Sequence, residues 1–179
     1  MKKTLRCHQA NVKSQLGLTL IETLVSLAIF ALVVGGALAL FGSASSSQTT
    51  TQMTSDLSAI RAATKSLFFG QGGYGAVSLN EVLINGKKVP STMPITGVAP
   101  ARVINHSQNG TVTVTGANTQ FTVALTNVST DVCIGIASAN GWSSLQIGAT
   151  NNPVLPISPA TASTQCAVSD PINMTFTSL

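Results

Sequence analysis

Hydrophobic residues dominate one continuous stretch near the start of the chain, from Leu18 to Phe41, in which Glu22 is the only charged residue. A helix over this stretch is about 36 Å long at about 1.5 Å per residue, whereas the hydrocarbon core of a bilayer is about 30 Å thick. A carboxylate inside such a segment costs roughly 3 kcal/mol unless a partner neutralises it. The pattern therefore predicts a membrane-length helix whose glutamate is paired, most economically with another copy of the chain.

Beyond the apolar stretch the periodicity of a helix continues with one hydrophobic face, and no proline interrupts it before Pro90. The residues on this face follow one another at steps of three or four: Met53, Leu57, Ile60, Thr64 and Leu67. The clustered glycines of segment 70–73 then end the pattern, because glycine is a poor helix former and a good helix stop. We therefore predict one long helix over residues 18–69.

Alternation of polar and apolar residues predicts β-strands after the glycine cluster. The alternating segments are 111–115, 120–126, 143–147 and 173–177. Asn109 and Gly110 form a strong turn signal directly before the first of them. Alternation of this kind suits a sheet that buries one face, so a mainly β-structured globular region is expected to follow the helix.

Two short helices and two loops complete the prediction. Segment 78–84 begins with the S-x-x-E pattern of a capping box, which predicts a short helix. Segment 131–139 suits either a strand or a helix, and the helix is favoured because a serine or a threonine can cap it. Segments 85–101 and 148–165 contain several prolines and polar residues and are predicted to be surface loops.

Charged residues make up only 8% of the chain, and the net charge of +4 is confined to the segment before Gly17. Four cations precede that glycine: Lys2, Lys3, Arg6 and Lys13. A basic segment before an apolar helix indicates a cytoplasmic N-terminus, and the balanced charge after Gly17 argues against a nucleic-acid partner. Asp56, Arg61 and Lys65 are predicted to lie off the apolar helix face. The two cations could there form an anion site, a solvated surface or an intersubunit salt bridge.

The cysteines follow the same division of the chain. Cys7 lies in the basic leader, whereas Cys133 and Cys166 lie in the globular region, which would be outside the cytoplasm. Oxidising conditions there favour a disulfide between these two residues, with two buried free thiols as the alternative. Two cysteines and two remote histidines supply too few ligands for a metal site.

Other candidate chemistry is sparse. His8 and His106 share no ligand spacing and are predicted to be solvated. His106 could form a hydrolase triad with Asp131 and a serine. A chain with so many serines contains such a combination by chance, so it does not indicate a hydrolase. The glycine cluster lacks the lysine and hydroxyl residue of a phosphate-binding loop. We therefore expect no cofactor, no metal and no enzymatic activity.

Segment 17–22, of sequence Gly-Leu-Thr-Leu-Ile-Glu, resembles the processing and helix-start motif of type IV prepilins. The resemblance implies that a prepilin peptidase cleaves between Gly17 and Leu18 and often methylates the new amine of Leu18. It also implies that Glu22 of one subunit pairs with that amine on a neighbour in the filament. The long leader, the first mature residue and the placement of the cysteine pair are similar to the type IVb subgroup, including the toxin-coregulated pilus and conjugative thin-pilus major pilins.

The resemblance implies an α+β fold of the type IV pilin kind. Its long N-terminal helix is apolar in the first half, amphipathic in the second, and packs on an antiparallel β-sheet head. Residues 1–17 would be the removed leader and residues 18–69 the helix, with 18–41 in the membrane or the filament core. Residues 70–179 would contain an αβ-loop, the sheet and a C-terminal region bounded by Cys133 and Cys166.

The function implied is that of a structural protein, the major subunit of a type IVb pilus. The prepilin would cross the inner membrane once with its leader in the cytoplasm. The mature protein would polymerise with identical subunits into an extracellular filament for adhesion, aggregation or conjugative cell contact. Its other partners would be the prepilin peptidase and the inner-membrane assembly machinery.

Other readings of the same sequence remain open. A type II secretion pseudopilin or a minor pilin would carry the same N-terminal motif. An exported soluble binding protein or enzyme would have an ordinary signal peptide, cleaved near Ala44. A plain single-pass membrane protein would keep its N-terminus and stay monomeric.

Overall fold

The structure is a computed structural model that describes residues 19–179. The chain divides into two compact units, Met1–Gly42 and Ser43–Leu179, and we call the second the head unit. The first helix, α1 (Leu20–Leu67), has residues in both units. It confirms the long helix predicted from periodicity, whose predicted first residue, Leu18, lies outside the described part of the chain.

Within the head unit, α1 buries the face that the sequence pattern predicts. Met53, Leu57 and Ile60 are at most 1% exposed. Thr64 is buried on the same face, and its hydroxyl donates a hydrogen bond to the Ile60 carbonyl oxygen at 2.8 Å. Burial of each large apolar side chain contributes about 1.5–3 kcal/mol, so this face stabilises the contact of α1 with the rest of the head unit.

Asp56 contradicts the prediction that it lies off the buried face, because it is only 5% exposed. Its Oδ1 accepts hydrogen bonds from Gln52 Nε2 at 3.0 Å and from Thr92 Oγ1 at 2.7 Å. Hydrogen bonds to an ionised oxygen are about twice as strong as neutral ones and compensate for its lost hydration. Asp56 therefore joins α1 to a segment 36 residues further along the chain.

In the described part of the chain, seven strands form one antiparallel sheet with the order β1-β2-β3-β4-β7-β5-β6. In chain order the strands are β1 (Ile95–Thr96), β2 (Val103–Asn105), β3 (Thr111–Ala117), β4 (Gln120–Val128), β5 (Ser144–Ile147), β6 (Thr150–Asn152) and β7 (Ile172–Ser178). The last strand lies between β4 and β5, so its hydrogen bonds connect distant parts of the sequence.

Alternation identified the longer strands correctly. In β3 the valines Val112 and Val114 are fully buried between less buried threonines, and in β7 Met174 and Phe176 are buried in the same way. Strands β1 and β6 lie in segments that were predicted as loops, and β2 was not predicted. These strands have two or three residues, too few for an alternating pattern to be detected.

Three short helices complete the described head unit: α2 (Asn80–Asn85), α3 (Thr130–Ala137) and α4 (Pro159–Cys166). Helix α3 confirms the helical interpretation of its segment. Helix α4 contradicts the predicted loop over 148–165. Ser158 caps α4 by accepting a hydrogen bond from the Thr161 N–H at 3.2 Å, and Pro159 lies in its first turn.

The capping box predicted for α2 is wrong. The N-cap residue is Leu79, and no side chain caps the helix. Ser78 instead pairs with Thr115 in a short β-bridge, and Glu81 binds Arg102. The short helix itself is present, so the pattern predicted the element but not the contacts of its polar residues.

The predicted disulfide is confirmed, because Cys133 in α3 is bonded to Cys166 at the end of α4. Helix α3 also packs closely against α1, since a Cβ added at Gly135 would lie 2.3 Å from the Thr50 Cγ2 atom. The fold class is likewise confirmed: α+β, with a long N-terminal helix whose second part packs against an antiparallel sheet.

Candidate functional site

The apolar part of α1 is the first candidate site, because its side chains are not covered by other residues of the described chain 19–179. Leu20–Leu38 has 19 residues with a mean hydropathy of 2.2, and none of it is buried. Leu20 and Leu32, for example, are 78% and 77% exposed. By length and composition the segment could cross a bilayer, and an exposed apolar surface of this extent indicates a contact with lipid or protein.

The first turn of α1 positions Glu22. Thr19 precedes the helix, and its carbonyl oxygen accepts hydrogen bonds from the Glu22 and Thr23 N–H groups at 3.0 and 3.2 Å. The Thr19 hydroxyl lies 3.4 Å from the same Glu22 nitrogen, so Thr19 acts as the N-cap. The sequence signal for this role is the T-x-x-E pattern of a capping box at Thr19 and Glu22, which the predicted start of the helix at Leu18 did not include.

The Glu22 carboxylate has no cationic partner within the described residues of its own chain. Between residues 19 and 179 the one ion pair within 4.0 Å joins Arg102 to Glu81. Glu22 is exposed and lies in the first turn of α1, where the helix dipole favours a negative charge. The carboxylate is therefore held at the helix start and remains available to a cation from outside the described chain.

Three threonine hydroxyls of α1, near the start of the head unit, form hydrogen bonds within the helix itself. Thr49, Thr50 and Thr51 donate hydrogen bonds to the carbonyl oxygens four residues earlier, at 3.0, 3.0 and 2.9 Å. Such bonds hide the hydroxyl groups against the helix backbone. The helix is continuous through this segment, and these three threonines present their methyl groups rather than unpaired hydroxyl groups.

The ion pair of the head unit links α2 to the start of β2. The Arg102 guanidinium binds the Glu81 carboxylate through Nε and Nη2, and the Arg102 N–H donates to Glu81 Oε1 at 2.9 Å. These hydrogen bonds lower the pKa of Glu81 and raise the pKa of Arg102. Both side chains are about one-quarter exposed, so the pair contributes little to stability and mainly orients the two segments.

His106 contradicts the prediction of a solvated histidine, because it is only 2% exposed. Its Nε2 lies 2.8 Å from the Thr126 carbonyl oxygen, and its Nδ1 accepts a hydrogen bond from the Gln108 N–H at 3.3 Å. These partners suit a neutral ring with the proton on Nε2. Burial lowers the pKa of His106, although its hydrogen bond to Thr126 acts in the opposite direction.

The buried His106 predicts an acid-sensitive head unit. Because its pKa is lowered by folding, the unfolded chain binds more protons below about pH 6.5, so stability falls as the pH decreases through that range. Urea unfolding of the full chain in detergent at pH 7.5 and at pH 5.5 should show this loss. His106→Gln should reduce the pH dependence, whereas His8→Gln, in the leader, should not. An unchanged pH dependence in His106→Gln would contradict the assignment.

Three further points from the sequence concern candidate sites. The leader 1–17, with Gly17 at its end, and the predicted first mature residue Leu18 lie outside the described residues. Among residues 19–179 no group of three or more His, Cys, Asp or Glu side chains could hold a metal ion. The hydrolase triad is not assembled, since both ring nitrogens of His106 contact backbone groups rather than a serine.

Comparisons with known proteins agree with the geometry. Residues 47–179 match the family described as PilS N terminal, and residues 12–38 match the prokaryotic N-terminal methylation motif. No curated protein matches the chain. The type IV b pilin from Salmonella typhi has a similar crystal structure, with a TM-score of 0.60 and 20% identity over 69% of this chain and 95% of that one.

A second similar structure is TcpA, a type IV pilin from Vibrio cholerae El Tor biotype. Its TM-score is 0.52 at 13% identity, over 74% of this chain and 99% of that chain. Sequence identities this low show a similar fold only. The family match shows membership, because it covers most of the sequence and nearly all of the head unit. The chain therefore belongs to the PilS family and is a type IV pilin with the fold of the type IVb pilins.

Proposed function

We propose that the chain is the major subunit of a type IVb pilus, made as a prepilin and assembled into an extracellular filament. The observation that carries this proposal is the exposure of Leu20–Leu38 in a chain whose head unit has its own hydrophobic core. In the described residues no buried side-chain nitrogen or oxygen lacks a hydrogen bond. The apolar helix is thus free to contact lipid before assembly and other helices afterwards.

In this proposal the prepilin peptidase removes residues 1–17 and methylates the new terminal amine of Leu18. The match of residues 12–38 to the N-terminal methylation motif supports both steps. The leader contains four cations that hold this end of the chain in the cytoplasm. Its removal releases that anchor and creates an amine four residues before Glu22.

Glu22 of one subunit then binds the Leu18 amine of a neighbouring subunit. In an apolar filament core each charge alone would be costly, and pairing offsets the desolvation of both. Glu22 has no cation within 4.0 Å among residues 19–179 of its own chain, which supports a partner on another subunit. Such a pair sets the register between neighbouring helices more than it adds stability.

The parts of the chain then have separate roles. Residues 18–41 form the inner-membrane span of the prepilin and the core of the filament, and the remainder of helix 18–69 connects this core to the surface. Residues 70–179 form the outer surface with the αβ-loop, the sheet and the disulfide-bounded region. The partners are identical subunits, the prepilin peptidase and the inner-membrane assembly machinery. The filament serves adhesion, aggregation or conjugative cell contact.

The mature N-terminus tests this proposal directly. When the chain is expressed in cells that contain the peptidase and assembly machinery, mass spectrometry of sheared filaments should find a first residue at Leu18. Gly17→Leu should prevent cleavage and filament formation, whereas Gly36→Ala, in open space on α1, should be processed normally. A mature protein that starts near Ser45 and stays soluble would contradict the proposal and indicate an ordinary signal peptide.

A further inference from the structure

Contacts with Ser178 and Trp142 position the Arg61 side chain at the surface of the head unit. Its Nε donates a hydrogen bond to Ser178 Oγ at 3.0 Å, and its guanidinium carbon lies 5.6 Å from the centre of the Trp142 ring. Gly141 makes room for this arrangement, since a Cβ there would lie 2.6 Å from Arg61 Nη1. Gly141 also has a φ of +93°, which other residues rarely adopt. Two segments that are distant from α1 in the sequence, residues 141–142 and the end of β7, therefore position one arginine.

The outer nitrogens of this guanidinium have no acceptor in the described part of the chain. Arg61 forms one side-chain hydrogen bond, through Nε, and no carboxylate of residues 19–179 lies within 4.0 Å of it. A planar guanidinium matches a carboxylate through two parallel hydrogen bonds. Because the side chain is already ordered, binding a carboxylate costs less conformational entropy than at a mobile arginine.

Among the head-unit charges that lack an ionic partner, Asp56 of α1 is buried and hydrogen-bonded to Gln52 and Thr92, and the others are grouped by sign. The cations lie toward the end of α1: Arg61 and Lys65 are on it, and Lys87 and Lys88 follow Gly86. A Cβ at Gly86 would lie 3.6 Å from the Cδ2 atom of Leu67, the last residue of α1. After Arg102 the chain contains no lysine or arginine, only two aspartates.

These aspartates, Asp131 and Asp170, lie at the opposite end of β7 from Arg61. Ile172, at the start of β7, pairs with Val128 of β4. Asp170 lies two residues before Ile172, and Asp131 lies three residues after Val128. Ser178, at the other end of β7, contacts Arg61. The strand is about 20 Å long at about 3.3 Å per residue, so neither aspartate can reach Arg61 of its own subunit.

Asp170 is the freer of the two carboxylates. Asp131 accepts a hydrogen bond from the Ser129 hydroxyl and lies in the first turn of α3, where the helix dipole partly compensates its charge. Asp170 is exposed in the segment between α4 and β7, and its side chain forms no hydrogen bond within the described residues.

We infer that Arg61 of one subunit binds the Asp170 carboxylate of a second copy of this chain, an inference that rests on the proposed filament function. A contact between opposite ends of identical subunits is heterologous, and such a contact builds an open filament when the rotation between subunits does not close a ring. A contact that buries both the Arg61 guanidinium and the Asp170 carboxylate excludes water from them. Removing either group then leaves the other buried without a partner, which weakens the association of the subunits.

A charge-swap experiment on the full chain in assembling cells tests this pair. Arg61→Glu and Asp170→Arg should each lower the yield of sheared filaments by about tenfold or more, as expected for one unpaired member of a buried pair. The double variant should recover at least about half of the wild-type yield. The matched control combines Arg61→Glu with Asp131→Arg and should not recover.

The outcomes separate this inference from the proposed function. If wild-type chain forms filaments but Asp170→Arg, an exposed change outside the core, assembles equally well, the inference is wrong and the function stands. Failure of the double variant to recover, or recovery with Asp131→Arg instead, also overturns the pair. If the wild-type chain forms no filaments with its machinery, the proposed function and this inference both fail. Thermal unfolding of each detergent-solubilised variant checks that the head unit is folded.

Discussion

Glu22→Gln is expected to lower the yield of assembled filaments by at least about tenfold while the head unit stays folded. Glutamine keeps the size of the side chain but removes the charge that we propose for pairing with the Leu18 amine. Leaving one member of a buried pair uncompensated costs about 3–5 kcal/mol, and 1.4 kcal/mol already corresponds to a factor of ten. Filaments sheared from cells with equal prepilin levels should be quantified by immunoblot and electron microscopy.

Glu81→Gln provides the matched control for this experiment. It removes one carboxylate from the head unit, where the Arg102 pair is partly exposed, and should leave filament yield close to that of the wild type. The mature N-terminus of Glu22→Gln should still be Leu18, which separates a defect in assembly from a defect in processing. Normal filament number and length in Glu22→Gln would show that charge pairing is not required.

Removal of the Cys133–Cys166 disulfide is expected to produce the largest loss of head-unit stability. The bond joins residues separated by 33 positions, and closing a loop of that length contributes about 3–4 kcal/mol in the chain-entropy treatment. Both sulfur atoms are fully buried, so the paired change Cys133→Ser and Cys166→Ser also places hydroxyl groups in the core. Thermal unfolding of the detergent-solubilised chain should show a Tm lower by about 10 °C or more.

The third cysteine provides the control. Cys7→Ser changes a residue of the leader and should leave the Tm of the head unit unchanged. A reductant should lower the Tm of the wild type and of Cys7→Ser, but not that of the variant without Cys133 and Cys166. A wild-type Tm that does not respond to reductant under unfolding conditions would contradict a stabilising role for the bond.

Local patterns predicted most of the elements that position the candidate sites. The three- and four-residue spacing through Met53, Leu57 and Ile60 identified the buried face of α1, because a helix repeats every 3.6 residues. Alternation identified β3 and β7, because successive strand residues point to opposite faces. The segment with Glu22 indicated a type IV prepilin from adjacent residues alone, and the family comparison confirmed the type IV pilin assignment.

Patterns failed where the structure depends on distant partners. The S-x-x-E pattern at Ser78 and Glu81 did not form a capping box, because the Ser78 backbone pairs with Thr115 and the Glu81 side chain binds Arg102. Helix α4 was missed because its segment is polar and poor in apolar periodicity, although Ser158 and Pro159 are typical of a helix start. The Asn152 and Gln165 amides form two reciprocal hydrogen bonds that no local pattern shows.

By itself the sequence determined the membrane-length helix, the position of Glu22 in it and the longer strands, because each depends on the local spacing of residues. It also determined the cysteine pair, because both cysteines follow the apolar segment and are expected outside the cytoplasm. Only the tertiary structure decided the environments of Asp56, His106 and Arg61. Each of these polar side chains is positioned by residues far away in the sequence: Thr92 for Asp56, Thr126 for His106, and Ser178 for Arg61. Polar burial depends on whether such partners meet, and the packing of α1 and the loops against the sheet brings them together.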